Sequence, residues 1–212
     1  EIVVEALEGG ALFVAAGRRE GAGEREDNHL LACEFVAHGE VLPLERIVAT
    51  KRQEIAARQA VAPMAVVQQR AAAAPPPRPF AAALARVAAT APAIIAEVKR
   101  GSPSLGCIRP DLDAARQAAC YQAGGAAAVS VLTDECYFFG SDADFTAVRA
   151  CISLPMLRKE FIIDPWQVYE SRALGADCIL LILAILNDGE AATLGTLANS
   201  LGMDILLETH AA

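Results

Sequence analysis

Five apolar runs, AIIAEVK (93–99), AAAVSVLTD (126–134), PMLRKEF (155–161), CILLILA (178–184) and DILLETH (204–210), begin 23 to 33 residues apart. Nothing else in the chain narrows its fold as much. Runs this short and this continuously apolar read as strands buried on both faces, and the spacing leaves room for one helix between each pair. The helix signals fall in those gaps. Asp164 is placed to cap a helix whose first position is Pro165 and whose end is Gly175; Asn187 or Asp188 opens another that closes near Gly202; Gly124 and Gly125 close one that opens near Asp111 or Asp113.

Two architectures accommodate alternating strands and helices, a doubly wound sheet and a (β/α)8 barrel, and the polar residues favour the barrel. Strand side chains alternate faces, so Ile95, Glu97 and Lys99 share one face, as do Leu157, Lys159 and Phe161, and Leu206, Glu208 and His210. In each trio an apolar residue is followed by ionisable or aromatic ones toward the C-terminal end, where barrel active sites lie. Lys99, Lys159, Glu97 and Glu208 are therefore expected to converge at a mouth, where partial burial and opposite charges suit acid–base chemistry. A structural ion-pair network is the competing reading for any one of them. SPSLG (102–106) could offer backbone N–H and hydroxyl groups to an anion or be a plain turn. Phe138 and Phe139 of YFFG could cover an aromatic substrate or close the core. No role is assigned to His29, His38 or His210.

The segment before the repeats divides in three. Residues 1–40 are punctuated by glycine and charge and remain unassigned; residues 41–63 have helical periodicity, with Leu44, Ile47, Val48, Ile55 and Ala56 on roughly one face. Residues 64–79 are Ala/Gln-rich and run into AAAAPPPRP, a stiff polyproline-like linker. The domain division is thus 1–40 and 41–212. At 54% hydrophobic, the 212 residues can bury a substantial core. A net charge of −8 without a basic cluster argues against nucleic acid as a partner, but leaves room for a small anionic substrate. Six cysteines without C-x-x-C spacing read as reduced thiols of a cytoplasmic protein, and no stretch reaches the roughly 18 apolar residues of a membrane span.

Residues 41–210 resemble indole-3-glycerol phosphate synthase, through LERIVATKRQEIAAR, AEVKRGSPSLGCIRPD, AAAVSVLTDECYFFGS, LPMLRKEFIIDPWQVYESRALGAD and ILLETH in that order. The resemblance implies an α/β fold of the (β/α)8 TIM-barrel type with an extra N-terminal helix. It implies a carboxy-lyase of tryptophan biosynthesis that closes 1-(2-carboxyphenylamino)-1-deoxyribulose 5-phosphate to an indole with loss of CO2 and water, using no metal or organic cofactor. It also implies that Lys159 is a general acid toward the ribulose carbonyl and that Lys99 lies by the substrate carboxylate and shares in proton transfer. Glu97 and Glu208 become paired carboxylates for charge balance and dehydration. Phe138, Phe161 and Leu132 become walls of the substrate pocket, and Ser102 a contact in the loop after the first parallel strand.

The chain departs from that family's pattern in three ways. Leu105 stands where many relatives have lysine, and Glu160 replaces the commoner aspartate, with its side chain expected to point away from the barrel interior. The sequence also ends after the fifth strand, from which an incomplete barrel is expected, open at two parallel edges and poorly stable or inactive alone, and its start with Glu reads as that of a fragment or gene remnant. Two alternatives follow: a non-catalytic fragment that self-associates through its open edges, or another phosphosugar barrel such as phosphoribosylanthranilate isomerase. Residues 1–40 faintly resemble the start of 3,4-dihydroxy-2-butanone-4-phosphate synthase, and no function is carried from it.

Overall fold

The computed structural model describes residues 44–209, together with four earlier strands, β1 (Ile2–Leu7), β2 (Ala11–Ala16), β3 (Val36–Ala37) and β4 (Glu40–Val41), of which only the backbone pairing is considered. His29, His38, His210 and Cys33 lie outside the described residues. Three helices precede the repeats: α1 (Leu44–Val61), α2 (Met64–Ala73) and α3 (Phe80–Ala88). The repeats are β5 (Ala93–Val98), a small hairpin β6 (Gly101–Ser102) and β7 (Gly106–Cys107), α4 (Ala114–Ala123), β8 (Ala128–Leu132), α5 (Asp142–Cys151), β9 (Met156–Lys159), α6 (Pro165–Leu174), β10 (Cys178–Ile182), α7 (Asp188–Ser200) and β11 (Asp204–Glu208).

All five expected strands form, and β5, β8, β9, β10 and β11 are parallel neighbours in chain order. The caps follow their side-chain chemistry. Asp164 accepts from Trp166 N–H with Pro165 inside the first turn, and Gly175 leaves α6 at φ 89°, a left-handed conformation that favours glycine. Asn187 and Glu190 form a reciprocal capping box on α7, and Asp113 caps α4.

Alternate strand residues feed two cores. Val129, Val131, Met156, Ile179 and Leu181 face Ala118 of α4, Phe145 and Val148 of α5, Val168 of α6 and Leu194 of α7. Ile95, Ala128, Leu132, Leu157, Leu180 and Leu206 face the other way, with Phe80 and Leu84 of α3 and Ile47 of α1. All four crossover helices therefore cover one face of a sequentially ordered sheet, which excludes the doubly wound alternative, where crossovers cover both faces.

Three expectations are corrected. Residues 64–73 form α2 rather than leading loosely into the linker, because Met, Ala, Gln and Arg are strong helix formers and the prolines begin only at Pro75. Ala56 is exposed; the buried stripe of α1 runs through Ile47, Lys51 and Ile55, four residues apart, with a lysine at its centre. The edge of β5 is not open, since β2 pairs with it antiparallel, Leu12 opposite Ile95.

The proline linker is extended and so has no helical ladder to satisfy its backbone. Arg172 donates to the carbonyls of Ala74 and Pro75, Arg78 N–H donates to Asp177 Oδ1 at 2.6 Å, and the Arg78 guanidinium donates to the carbonyls of Ile152 and Leu154. This strap passes the N-terminal ends of the strands, opposite the end where the ionisable residues gather.

Candidate active site

Glu97 is the penultimate residue of β5, and the strand pleat turns it to the same side as Ile95. Lys159 ends β9, opposite Leu132 of β8 in the parallel register. The Lys159 ammonium reaches across β8 to Glu97 Oε2 at 2.5 Å, and Lys99 Nζ lies 3.1 Å from Glu97 Oε1. One carboxylate thus holds two ammonium groups, one on each oxygen. The carboxylate is almost wholly buried, whereas the lysine side chains are 25% and 30% exposed, so the cations face the mouth and the anion sits beneath them.

Burial by itself would raise the Glu97 pKa, but attraction to Lys159 and Lys99 outweighs it, and the carboxyl is held below its ordinary range. Glu97 is therefore ionised at neutral pH, in contact with both ammonium groups. Two ammonium groups held this way can protonate a developing alkoxide and neutralise a carboxylate.

The hydrophobic wall adjoins this triad. Phe138 and Phe161 are buried with ring centroids 6.1 Å apart and planes tilted by 42°, and Leu132 and Leu157 belong to the same cluster. Phe139 is turned out, 41% exposed with φ 58°, and lies over Gly101. Of the two phenylalanines considered for the pocket, only Phe138 points inward.

Two other predicted residues lie on neighbouring elements. Glu208 ends β11, opposite Ile182 and two strands from Lys159, half-buried. The Ser102 hydroxyl lies 3.1 Å from Ser104 Oγ and accepts from Leu105 N–H, so it closes its own turn in the β6–β7 hairpin, with Leu105 exposed at the tip. A groove of about 510 Å³ between α1, α2 and α6, lined by Arg58, Val61, Arg70 and Trp166 among others, contains none of the predicted residues.

Several buried polar residues escaped the sequence reading. Arg158, fully buried on the outward face of β9, donates to Thr133, Ser171 and the carboxylates of Glu170 and Asp142, tying the strand to α5 and α6. Lys51 lies against Glu54, Asp134 and Glu160 at 2.6, 2.9 and 2.9 Å. The signal for Lys51 was present, since a cation four residues from both Ile47 and Ile55 interrupts an apolar stripe. Glu160 turns away from Lys159 into this second cluster, where it accepts from Thr133 Oγ1 and Phe161 N–H. Among the described residues no group of three or more His, Cys, Asp or Glu side chains could hold a metal ion.

The family model described as indole-3-glycerol phosphate synthase matches residues 44–212, beginning at the first residue of α1. The chain belongs to the indole-3-glycerol phosphate synthase family. The fold of that family is the TIM barrel, and the parallel strands β5, β8, β9, β10 and β11 with their crossover helices are βα units of it. Two relatives called indole-3-glycerol phosphate synthase illustrate the likeness. The one from Rhodospirillum rubrum is 52% identical over 168 residues, covering 79% of this chain and 64% of the relative. The one from Aromatoleum aromaticum is 48% identical over 170 residues, covering 80% of this chain and 65% of the relative. The chain thus spans a little under two thirds of the length of these relatives. No helix among the described residues is long and apolar enough to cross a membrane.

Proposed function

We propose that the mouth formed by β5, β8, β9 and β11 converts 1-(2-carboxyphenylamino)-1-deoxyribulose 5-phosphate to indole-3-glycerol phosphate, CO2 and water, as a carboxy-lyase of tryptophan biosynthesis. The observation that carries the reading is the single buried carboxylate of Glu97 holding Lys159 and Lys99 side by side. In the first step the ring carbon bearing the carboxylate bonds to the ribulose carbonyl carbon, and Lys159 donates a proton to the oxygen that would otherwise become an alkoxide. Lys99 faces the substrate carboxylate until the C–C bond to CO2 breaks and its electron pair restores the aromatic ring. The new hydroxyl then leaves as water with loss of a proton from the adjacent carbon, a step served by Glu208 at the edge of the same mouth.

Phe138, Phe161 and Leu132 supply apolar surface for the benzene ring, which gains more from leaving water than a sugar would. Ser102 stands in the hairpin above β5, placed to meet the substrate once its turn opens. The reaction requires neither redox change nor electrophile beyond protons, so no cofactor is invoked. Among the described residues four exposed thiols and one buried one, Cys178, form no disulfide, which supports a reducing, cytoplasmic setting.

The test is Lys159→Met in the protein that carries this chain, assayed by the appearance of indole fluorescence. Loss of a general acid lowers kcat by about 10²-fold or more, while Glu97 keeps Lys99 as partner and the fold persists. A kcat within a few-fold of the unsubstituted protein removes Lys159 from the chemistry.

A further inference from the structure

Lys51 belongs to α1, outside the strand repeats, yet its ammonium is buried 4% exposed between two carboxylates of the loops that follow β8 and β9. A buried cation is costly unless paired. Burial pulls its pKa down, and Glu160 and Asp134 together more than reverse that, so Lys51 stays charged. What those carboxylates do with their remaining lone pairs connects the cluster to the mouth. Asp134 Oδ1 accepts the backbone N–H groups of Tyr137 at 2.7 Å and Phe138 at 3.1 Å. Glu160 Oε1 accepts the N–H of Phe161 at 2.8 Å, and its Oε2 accepts from Thr133. The two rings that form the aromatic wall are thus hung, through their own backbone amides, from the two carboxylates that Lys51 joins. Thr50, the preceding residue of α1, lies 2.8 Å from the Tyr137 hydroxyl and ties the same loop a second time.

We infer that Lys51 is a positioning residue: by clamping Asp134 to Glu160 it sets the relative placement of Phe138 and Phe161, and so the width of the slot that receives the substrate's aromatic ring. The clamp claim is structural; its consequence for turnover rests on the synthase reading above. With Lys51 removed, Asp134 and Glu160, side chains 1% and 2% exposed, lose the ammonium between them; Glu54 adds a further negative charge, and Arg158, the cation on the other side of Glu160, is already held by Asp142 and Glu170. Two buried carboxylates without the cation between them repel one another. Either carboxylate, in moving, carries the amide of Phe138 or of Phe161 with it. Lys159 and Glu97 belong to different contacts, so the acid–base machinery stays intact while the slot loosens.

Two variants are compared with the unsubstituted protein, Lys51→Met and the doubly substituted Lys51→Met/Glu160→Gln, in which the uncompensated charge is halved and the Gln carbonyl still accepts from Phe161. Amide hydrogen exchange is read at Tyr137, Phe138 and Phe161, with the amides of β10 as internal reference, alongside kcat, KM and Tm. The clamp predicts exchange at Tyr137 and Phe138 at least about 10-fold faster in both variants while β10 is unchanged, because fewer restraints lower the local opening free energy. It predicts KM raised about 10-fold with kcat altered less than about 3-fold, and a higher Tm in the double variant than in the single. If the single variant does not fold, the double variant carries the test. Exchange and KM equal to those of the unsubstituted protein in a folded variant overturn the inference, and so does failure of both variants to fold, which makes Lys51 a requirement of the fold instead. Absence of turnover in the unsubstituted protein counts against the synthase reading alone, since the exchange result still decides the role of Lys51.

Discussion

Asp177→Asn is the perturbation that most directly probes what holds the N-terminal ends of the strands together. Asp177 is fully buried just before β10 and gathers three donors: Arg78 N–H on Oδ1 at 2.6 Å, and Met156 N–H at 2.8 Å and Arg149 Nη1 at 2.5 Å on Oδ2. One carboxylate therefore fixes the proline strap, β9 and α5. An asparagine of the same shape offers one acceptor oxygen in place of two. Whichever way the amide turns, its NH2 faces a backbone N–H, and a buried donor left unpaired costs about 1–3 kcal/mol. The Arg149 guanidinium also loses its counter-charge, and removing one partner of a buried pair costs roughly 3–5 kcal/mol. These effects share the same atoms and do not add, so about 3–4 kcal/mol is expected. For a chain of this size that lowers Tm by roughly 6–16 °C. Urea unfolding at pH 7 followed by circular dichroism measures it, with an unchanged m-value as the check that the same surface is exposed. A loss below about 1 kcal/mol refutes the view that Asp177 is the junction of these three elements.

Two further outcomes follow from the mouth. Because the Glu97 pKa is depressed in the folded protein, its contribution to stability is complete above the ordinary carboxylate range, near pH 4.3, and is lost as pH falls through the folded value. The stability gap between the unsubstituted protein and Glu97→Gln is therefore expected to narrow on acidification from pH 6 to pH 3 in denaturant titrations; a gap that stays constant or widens contradicts the ion-pair assignment. Gly140→Ala would place a Cβ 2.2 Å from the Leu132 carbonyl oxygen, a backbone atom that cannot give way without moving β8. It is expected to cost at least about 2 kcal/mol, on the scale of overpacking, and a variant with unchanged Tm would show that the turn after Phe138 is looser than described.

The parallel sheet was readable because each strand is an apolar run whose ends are marked by capping residues, and local chemistry decides caps: Asp113, Asp164 and Asn187 all serve as expected. The period-two rule also placed Glu97 and Lys159 on one side of the sheet. It could not show that both lysines share one carboxylate, since that depends on side-chain reach across β8. The α2 helix was missed because an alanine-rich segment next to four prolines carries conflicting local signals, resolved here by packing of Val67 beside Ile55 and Trp166. Lys51 and Arg158 were missed for a different reason. Their carboxylate partners lie on other elements, so even the break that Lys51 makes in the apolar stripe of α1 does not reveal what pairs it.

A decarboxylating ring closure at this mouth releases CO2 and indole in a fixed ratio. That ratio is read by incubating the protein that carries this chain with 1-(2-carboxyphenylamino)-1-deoxyribulose 5-phosphate labelled with ¹³C in the carboxylate, following labelled CO2 and indole together. The account predicts one equivalent of labelled CO2 for each indole formed, with both falling by about 10²-fold in Lys159→Met. A folded protein that releases neither, or that forms CO2 without indole, contradicts it.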